Sequence, residues 1–333
     1  MTPHLNRRAA LGLGTAAAAT GVLWSTRGGT AGAAPEVQPG SPGVAAIYRL
    51  ASRVAGGTWN SFITVARPDG TLDTAVAEQP DQVVEAFSVN KIAVATAVLD
   101  KVDRGLLTLD QRVDVTAAIV IPAGDGIFRL DGAYPSSVTL GHALAALLTV
   151  SDDTAVRLCG LVCPALEINA ILVAKGFPNT QVVPVANPNR FFLGRTTPRE
   201  THDLLQALVR GTLLSPTSTD FLLTALRSPI AFTDGIRRIM SSDERLRVAT
   251  KAGWFADGRN EAGLMFDAAG RPVLTYALFA RGQADPDNFG ATHPAVQARA
   301  VMGRAFFDAV ANLGGTAVRR AAPAPAYRPT NGG

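Results

Sequence analysis

Apolar residues recur at helical spacing along several stretches of the chain, and this pattern gives the first outline of its elements. After Lys91 the apolar positions fall three or four apart, which predicts one buried face on a helix that ends near Gly105. The sequence Thr197-Pro198-Arg199-Glu200 predicts another helix start, with a capping box and a proline at the first helical position. Similar patterns predict helices at 43–55, 139–148, 153–175 (with a break at Pro164 as an open option) and 293–313.

Short β-forming runs predict the strands. Two lie early, at 61–67 and 72–77, and three lie late, at 248–253, 261–267 and 273–280. The chain therefore runs helix, strands, a block of helices, strands, helix. This order favours an α+β fold, in which an all-α lobe (84–231) is inserted into an α/β sandwich lobe (41–83 and 232–315) whose sheet is completed by both ends of the chain.

Residues 1–33 have the pattern of a targeting segment. Asn6-Arg7-Arg8 precedes an apolar run from Ala9 to Trp24, and Ala31-Gly32-Ala33 resembles a cleavage site. Paired arginines are typical of twin-arginine export, and the apolar run is too short for a stable membrane span. We therefore expect a secreted, extracytoplasmic bacterial protein, with its domain at 34–320 and a disordered tail at 321–333.

Charge and cysteine content exclude several classes of function. Without residues 1–33 the chain carries 28 basic and 27 acidic side chains, so it has no basic surface typical of nucleic-acid binding. Cys159 and Cys163 lie four apart on a predicted helix, where two buried thiols are expected rather than an unstrained disulfide. Without nearby histidines they do not form a zinc site. We expect a monomer with no metal and no cofactor.

Candidate chemistry begins with Ser88 and Lys91. Three positions apart on a helix, they share one face, so a desolvated lysine amine can accept the proton of the serine hydroxyl. Alone, the pair is more typical of a helix-start serine and a solvated lysine than of a catalytic pair. Two further motifs accompany it, Ser151-Asp152-Asp153 at a junction of predicted helices and Lys251-Ala252-Gly253 on a predicted strand.

Together the three motifs resemble the S-x-x-K, S-D-N and K-T-G elements of class A β-lactamases and penicillin-binding proteins, over residues 41–315. The resemblance implies the serine β-lactamase/DD-peptidase fold, with the site between the two lobes. It also implies roles for individual residues. Ser88 is the nucleophile, Lys91 its proton acceptor, Ser151 the proton donor to the leaving nitrogen, and Lys251 the partner of a substrate carboxylate, with Gly253 and Trp254 beside the substrate and an oxyanion hole made by the N–H groups of Ser88 and Trp254.

Two departures from the family pattern affect substrate binding. Asp153 stands where the family usually has asparagine; an ionised carboxylate only accepts hydrogen bonds, and it favours the charged form of Lys91. Ala252 lacks a hydroxyl group and Trp254 is a large residue where a small one is common. These changes reshape the pocket in which a substrate carboxylate would bind.

A third departure affects the release of an acyl group. Counting along the chain places Asn187 where class A enzymes have the glutamate that activates the hydrolytic water, and Phe191 at the second water-holding position. An amide cannot serve as a general base near neutral pH. The nearby carboxylates are Glu200 and Glu167. We expect Glu200 to take part in the capping box and Glu167 to lie on a helix surface, so that neither replaces the glutamate.

The predicted function is an exported serine hydrolase, acylated at Ser88 by a β-lactam or a related amide or ester, with slow deacylation. Its partner would be a small-molecule β-lactam or a peptidoglycan-like substrate. Three alternatives stay open. They are a protein that captures β-lactams without useful turnover, a cell-wall binding protein that has lost catalysis, and a hydrolase for another ester or amide.

Overall fold

The structure, a computed structural model, describes residues 38–311, 313 and 326–330. The predicted targeting segment at 1–33 and most of the predicted tail lie outside the described residues, so both stay predictions. The boundaries between the two predicted lobes also stay predictions.

A five-stranded antiparallel sheet lies at the centre of the fold. It joins strands from both ends of the described chain, as the order of elements predicted, and the mixed α+β fold class is confirmed. In spatial order its strands are β2 (Leu72–Glu78), β1 (Thr58–Ala66), β10 (Pro272–Arg281), β9 (Gly258–Phe266) and β8 (Val248–Phe255). Since β8 is an edge strand, its residues are available to the elements beside the sheet.

Most described helices fall close to the predicted positions. In chain order the described helices are α1 (Gly40–Ala55), α2 (Lys91–Asp103), α3 (Leu140–Thr149), α4 (Asp153–Val162), α5 (Ala165–Ala174), α6 (Pro198–Val209), α7 (Pro216–Arg227), the single turn α8 (Ser242–Arg245) and α9 (Pro294–Val310). Of these, α7 and α8 were not predicted.

The central sheet is covered by helices on both faces. The side chains of each strand alternate in direction, so neighbouring residues pack into different apolar clusters. On β10, Leu278 packs into an apolar cluster with α1 and α9, whereas Ala277 and Phe279 pack into a second cluster with α2 to α7. The second cluster contains Ile92, Val98 and the other apolar positions of the helix that follows Ser88. This burial holds α2 against the sheet and positions the residues at its start.

Local signals explain several boundaries. The Thr139 hydroxyl accepts a hydrogen bond from the His142 N–H and so caps the N-terminus of α3. The predicted helix at 153–175 is broken at Pro164, so that α4 and α5 are separate. At α6, the Thr197 hydroxyl accepts from the Glu200 N–H, as in a capping box. The Glu200 carboxylate does not reach back, so the predicted box is only half formed.

Two small sheets were not predicted. One has β3 (Val84–Glu85), β7 (Phe191–Thr196) and β6 (Gln181–Pro184), in that order, and the other pairs β4 (Arg112–Val115) with β5 (Ser136–Thr139). These strands have two to six residues each, too few for a period-two pattern to stand out. The first sheet nonetheless determines where the chain between 185 and 190 passes the site.

Among the described residues, no single helix combines the length and apolar character needed to cross a membrane; only α4 and α5 together meet that test, and they are bent by 80°. Cys159 and Cys163 are both buried and free, as the sequence predicted. Burial raises the pKa of each thiol to about 12, so neither is a reactive thiolate near neutral pH.

Candidate active site

Ser88 lies in a 3-10 turn, Phe87–Asn90, that leads directly into α2, one turn before the α-helix that was predicted to carry it. Phe87 has a φ of +50°, which is strained for a bulky residue. The Asn90 side-chain amide donates to the carbonyl groups of Leu193 (2.7 Å) and Arg195 (3.0 Å). These bonds tie the turn to β7 and hold Ser88, which is partly exposed, at the side of a cleft.

The Lys91 ammonium is fully buried and is surrounded by acceptors. Its Nζ lies 2.6 Å from the Ser151 carbonyl oxygen, 3.1 Å from Ser151 Oγ and 2.7 Å from Asp153 Oδ1. Three acceptors match the three N–H donors of an ammonium. Among the described residues Ser88 Oγ is not one of its hydrogen-bond partners, so the direct Ser88–Lys91 contact expected from the spacing is replaced by contacts to Ser151 and Asp153.

Ser151 Oγ lies between two lysines. It is 3.1 Å from Lys91 Nζ and 2.9 Å from Lys251 Nζ, and Lys251 also donates to the Ala252 carbonyl at 2.7 Å. Ser151 has a φ of +54°, a conformation that non-glycine residues seldom adopt and that is typical of functional positions. A hydroxyl group that contacts two amines can pass a proton between them.

Burial lowers the pKa of both lysines. For Lys91 the loss of solvation is the largest cause, and the negative charge of Asp153 opposes it. The pKa of Lys251 falls well below its usual value because the side chain is buried and because the Lys91 charge lies nearby. A lowered pKa makes the neutral amine, which can accept a proton, accessible nearer to neutral pH.

The two aspartates after Ser151 hold the loop at 124–128 against the start of α4. Asp152 caps α4 through the Ala155 N–H and also accepts from the N–H groups of Ile127 and Phe128. Asp153 Oδ2 accepts from the Asp125 N–H at 2.9 Å. Asp125 lines the same cleft as Ser88. Burial and the neighbouring Asp153 raise the pKa of its carboxyl group.

Gly253 is in close contact with the backbone of the 3-10 turn Phe87–Asn90, here called the nucleophile turn. A Cβ atom there would lie 2.6 Å from the Ser88 nitrogen and 2.8 Å from the Val89 nitrogen. Only glycine lets β8 approach the turn this closely. The next residue, Trp254, lines the cleft, and its ring packs 5.4 Å from that of Phe232.

The cleft has a volume of about 990 Å³ and is lined by Ser88, Asp125, Asp153 and Trp254 among others. Three phenylalanines of its lining are unusually exposed, with Phe192 at 69%, Phe255 at 68% and Phe289 at 45% of their surface. Large exposed apolar side chains around a concave polar site are typical of a surface that binds a ligand.

The structure does not bring Asn187 to the cleft. Asn187 is exposed, and its side-chain oxygen accepts the Asn189 N–H at 3.0 Å in a tight turn. Asn189, Arg190 and Phe191 line the cleft instead. The short strand β7 and this turn decide which residues of the segment face the cleft.

The two carboxylates considered as substitutes have other partners. Glu200 accepts hydrogen bonds from Asn179 and Thr180, and Glu167 forms an ion pair with Lys101 at 2.7 Å. Neither lines the cleft. Within the described part of the chain, no group of three or more His, Cys, Asp or Glu side chains is arranged to hold a metal ion.

Sequence reasoning missed three charged residues of the cleft lining. Arg157 lies one turn after Asp153 on α4, Arg190 follows the turn at Asn187, and Glu85 is on β3. The helical spacing of Arg157 from Asp153 was a usable signal. The other two depend on the small sheet that the pattern did not predict.

Comparison with known proteins agrees with this geometry. Residues 46–310 match the Beta-lactamase enzyme family. The fold is similar to that of a β-lactamase from Sphaerobacter thermophilus, at 24% identity over 80% of this chain and 96% of that one, with a TM-score of 0.65. A β-lactamase from Chitinophaga pinensis gives 21% identity, coverage of 80% and 98%, and a TM-score of 0.68. PBP-A gives 22% identity, coverage of 81% and 99%, and a TM-score of 0.62.

No curated protein matches this sequence. At these identities the similar structures establish the fold, and the match over residues 46–310 establishes the family. The chain belongs to the Beta-lactamase enzyme family, whose members are β-lactamase-like serine hydrolases.

Proposed function

We propose that this protein is an exported serine hydrolase whose Ser88 is acylated by a β-lactam or a related cell-wall amide, and that the acyl-enzyme clears slowly. The observation that carries the proposal is the position of the buried Ser151 Oγ, within 3.1 Å of Lys91 Nζ and 2.9 Å of Lys251 Nζ, where Lys91 also contacts Asp153, a residue of the cleft that Ser88 lines. Buried lysines with lowered pKa values beside a serine nucleophile are suited to acyl transfer.

In the proposed reaction, Ser88 Oγ bonds to the substrate carbonyl carbon and the C–N bond breaks. The proton of Ser88 passes through the Lys91–Ser151 contacts to the leaving nitrogen. The N–H groups of Ser88 and Trp254, held together by the contact at Gly253, would stabilise the negative oxygen. Lys251 would bind a substrate carboxylate as well as Ser151.

Release of the acyl group needs a base that activates water. The segment from Asn187 to Phe191 supplies no carboxylate to the cleft. Three carboxyl groups on other segments line it. Asp153 is occupied by Lys91 and by the Asp125 N–H, burial raises the pKa of Asp125, and Glu85 lies on β3. We therefore propose deacylation that is slow compared with acylation. A neighbour in fold, an L158E mutant of PBP-A, is described as an acyl-enzyme complex with penicillin G.

Intact-mass spectrometry of residues 34–333 over time after mixing with benzylpenicillin tests this proposal. We expect one adduct per protein, mapped to Ser88, that persists while little product forms. The Ser88→Ala variant, which removes only the nucleophilic oxygen, should give no adduct. An adduct that clears rapidly would overturn slow release, and the absence of any adduct with several β-lactams would overturn the acylation.

A second candidate is a protein that binds β-lactams or cell-wall peptides without useful turnover. The absence of a carboxylate in the segment 187–191 favours it over an efficient lactamase. Equilibrium binding separates a purely binding protein from an acylating one. If binding is the function, Ser88→Ala should leave ligand affinity unchanged; if capture is covalent, the variant should lose the long-lived complex.

Export through the twin-arginine route is part of the proposal and rests on residues 1–33 alone. Fractionation of cells that express the full chain should place the protein outside the cytoplasm. Replacement of Arg7 and Arg8 by lysine should retain it inside.

A further inference from the structure

Besides the two lysines that contact Ser151, the site contains two arginines, which line the cleft. Arg157 lies on α4, and Arg190 lies in the segment just before β7. Both line the same cavity as Ser88. Neither is used by the acyl transfer described above.

The two guanidinium groups differ in how they are held. Arg157 Nη1 donates to the carbonyl oxygens of Ile119 (3.0 Å) and Val120 (3.3 Å), which fixes its position beside α4. Arg190 Nη1 is buried and has no hydrogen-bond partner among the described residues. Buried polar groups in folded proteins are normally paired, so the unpaired nitrogen of Arg190, a residue of the cleft lining, needs an explanation.

No carboxylate in the described part of the chain forms an ion pair with either arginine. Asp153, one turn before Arg157, has both oxygens occupied, one by Lys91 and the other by the Asp125 N–H. Glu85 is exposed on β3 and contacts neither arginine by an ion pair. The positive charge of this end of the cleft is therefore not neutralised by a side-chain ion pair.

The two arginines line the same cavity. Burial and the positive charge of Arg157 lower the pKa of Arg190, which is the effect of a like charge nearby. Two like charges that repel each other in a partly buried site are stabilised by a bound anion. Guanidinium groups are well suited to this, because their planar donors match the two oxygens of a carboxylate.

We propose that Arg157 and Arg190 form an anion-binding subsite that receives a carboxylate carried by the acyl portion of the substrate. This inference rests on the proposed function, since it assumes that a substrate occupies the cleft with its carbonyl at Ser88. The subsite belongs to α4 and the segment before β7, whereas Lys251 belongs to β8. The carboxylate at the arginines is therefore a different one from the carboxylate assigned to Lys251.

The apolar residues beside the arginines define the substituent further. Val183, Val185 and Phe192, on and beside the small sheet, line the same cavity and are exposed. A group that combines an apolar body with a carboxylate would contact these side chains and the two cations together. The preferred substrate class is thus an amide with an acidic, partly apolar acyl group.

A matched pair of penicillins tests the proposal. Carbenicillin is benzylpenicillin with one added carboxylate on the side-chain carbon. In the wild-type protein we expect the second-order rate constant for acylation to be about tenfold higher for carbenicillin, as one charge-assisted contact predicts. In Arg190→Gln this ratio should fall to near one. Arg190 is the suitable position because its side chain makes no hydrogen bond within the described residues, so that the variant should fold.

Arg195→Gln is the matched control. Arg195 is an exposed arginine on β7 that does not line the cleft, and its replacement removes the same charge. The control should keep the wild-type ratio. A wild-type ratio near one, or an equal loss of the ratio in both variants, would overturn the proposal.

A binding measurement keeps this test separate from the fate of the acylation proposal. Phenylmalonate and phenylacetate, which differ by the same carboxylate, are titrated calorimetrically into the Ser88→Ala protein. Tighter binding of phenylmalonate that is lost in Ser88→Ala/Arg190→Gln supports the subsite, even if no penicillin acylates Ser88. Equal binding of the two acids overturns it. Failure of both penicillins to acylate, with selective phenylmalonate binding, would sink the proposed function and leave the subsite.

Discussion

Lys91 Nζ and Asp153 Oδ1 lie 2.7 Å apart, and the lysine side chain of this pair is fully buried. The carboxylate stabilises the ammonium form in an environment that otherwise disfavours it. Burial lowers the pKa of Lys91, and Asp153 opposes that shift. Asp153 therefore holds a proton on the residue that the family resemblance assigns as the base.

Asp153→Asn should lower the pKa of Lys91 further, because burial then acts without opposition. A larger fraction of neutral amine would be present at any given pH, so the rising limb of the acylation rate against pH should move to lower pH by about one unit or more. The measurement is the rate of adduct formation with benzylpenicillin between pH 5 and 10.

Glu85→Gln is the control for this prediction, since Glu85 also lines the cleft but forms no ion pair with Lys91. Its profile should match the wild type. An unmoved limb in Asp153→Asn would mean that Lys91 is not the titrating amine.

Gly253→Ala should impair acylation. The new methyl group would lie 2.6 Å from the Ser88 nitrogen, a backbone atom that cannot rotate away. Either β8 or the nucleophile turn must move, which displaces an oxyanion donor, and we expect the acylation rate to fall at least tenfold. The overpacking should also lower the free energy of unfolding by about 1–3 kcal/mol.

Gly290→Ala provides the comparison, because the nearest atom to its added Cβ is 3.7 Å away. Both variants are assayed by adduct formation and by urea unfolding. Equal acylation rates in the two variants would contradict the role assigned to the contact at Gly253.

A glutamate in the cleft-facing segment should speed deacylation, but only at the position that faces the cleft. Asn189 lines the cleft, whereas Asn187 is exposed and occupied by its turn. We expect Asn189→Glu to shorten the lifetime of the acyl-enzyme at least tenfold, as a positioned general base would. Asn187→Glu should leave the lifetime near the wild-type value. The reverse order of effects would show that Asn187, and not Asn189, is the position from which a base reaches the acyl group.

The stability of the fold should depend on His202 at mildly acidic pH. Its ring is buried, with Nε2 2.8 Å from Thr64 Oγ1, and burial lowers its pKa. The unfolded chain, with a histidine pKa of about 6.5, then binds a proton more readily than the folded one. The free energy of unfolding should therefore decrease as the pH falls below about 6.5, and level off below the folded-state pKa.

Urea unfolding between pH 5 and 8 measures this dependence. His202→Gln should reduce its slope, and His142→Gln should not, because His142 is exposed. Identical slopes in all three proteins would show that other groups cause the acid sensitivity.

Much of the fold was predictable because the signals are local. The caps at Thr139 and Thr197, the break at Pro164 and the strands of the central sheet follow from backbone chemistry and side-chain period. The pattern likewise predicted a helix start near Ser88 and Lys91, although Ser88 lies in the 3-10 turn just before α2. These features need no knowledge of the rest of the chain.

The partners of each functional group were decided by tertiary packing. Lys91 points to Ser151 and Asp153, residues 60 and 62 positions away, and not to Ser88 as the helical spacing suggested. The small sheet of β3, β7 and β6 turns Asn189 and Arg190 toward the cleft and leaves Asn187 outside. Sequence determined which residues could carry the chemistry. Contacts between distant segments determined which of them meet, because burial and hydrogen-bond satisfaction are properties of the whole packed chain.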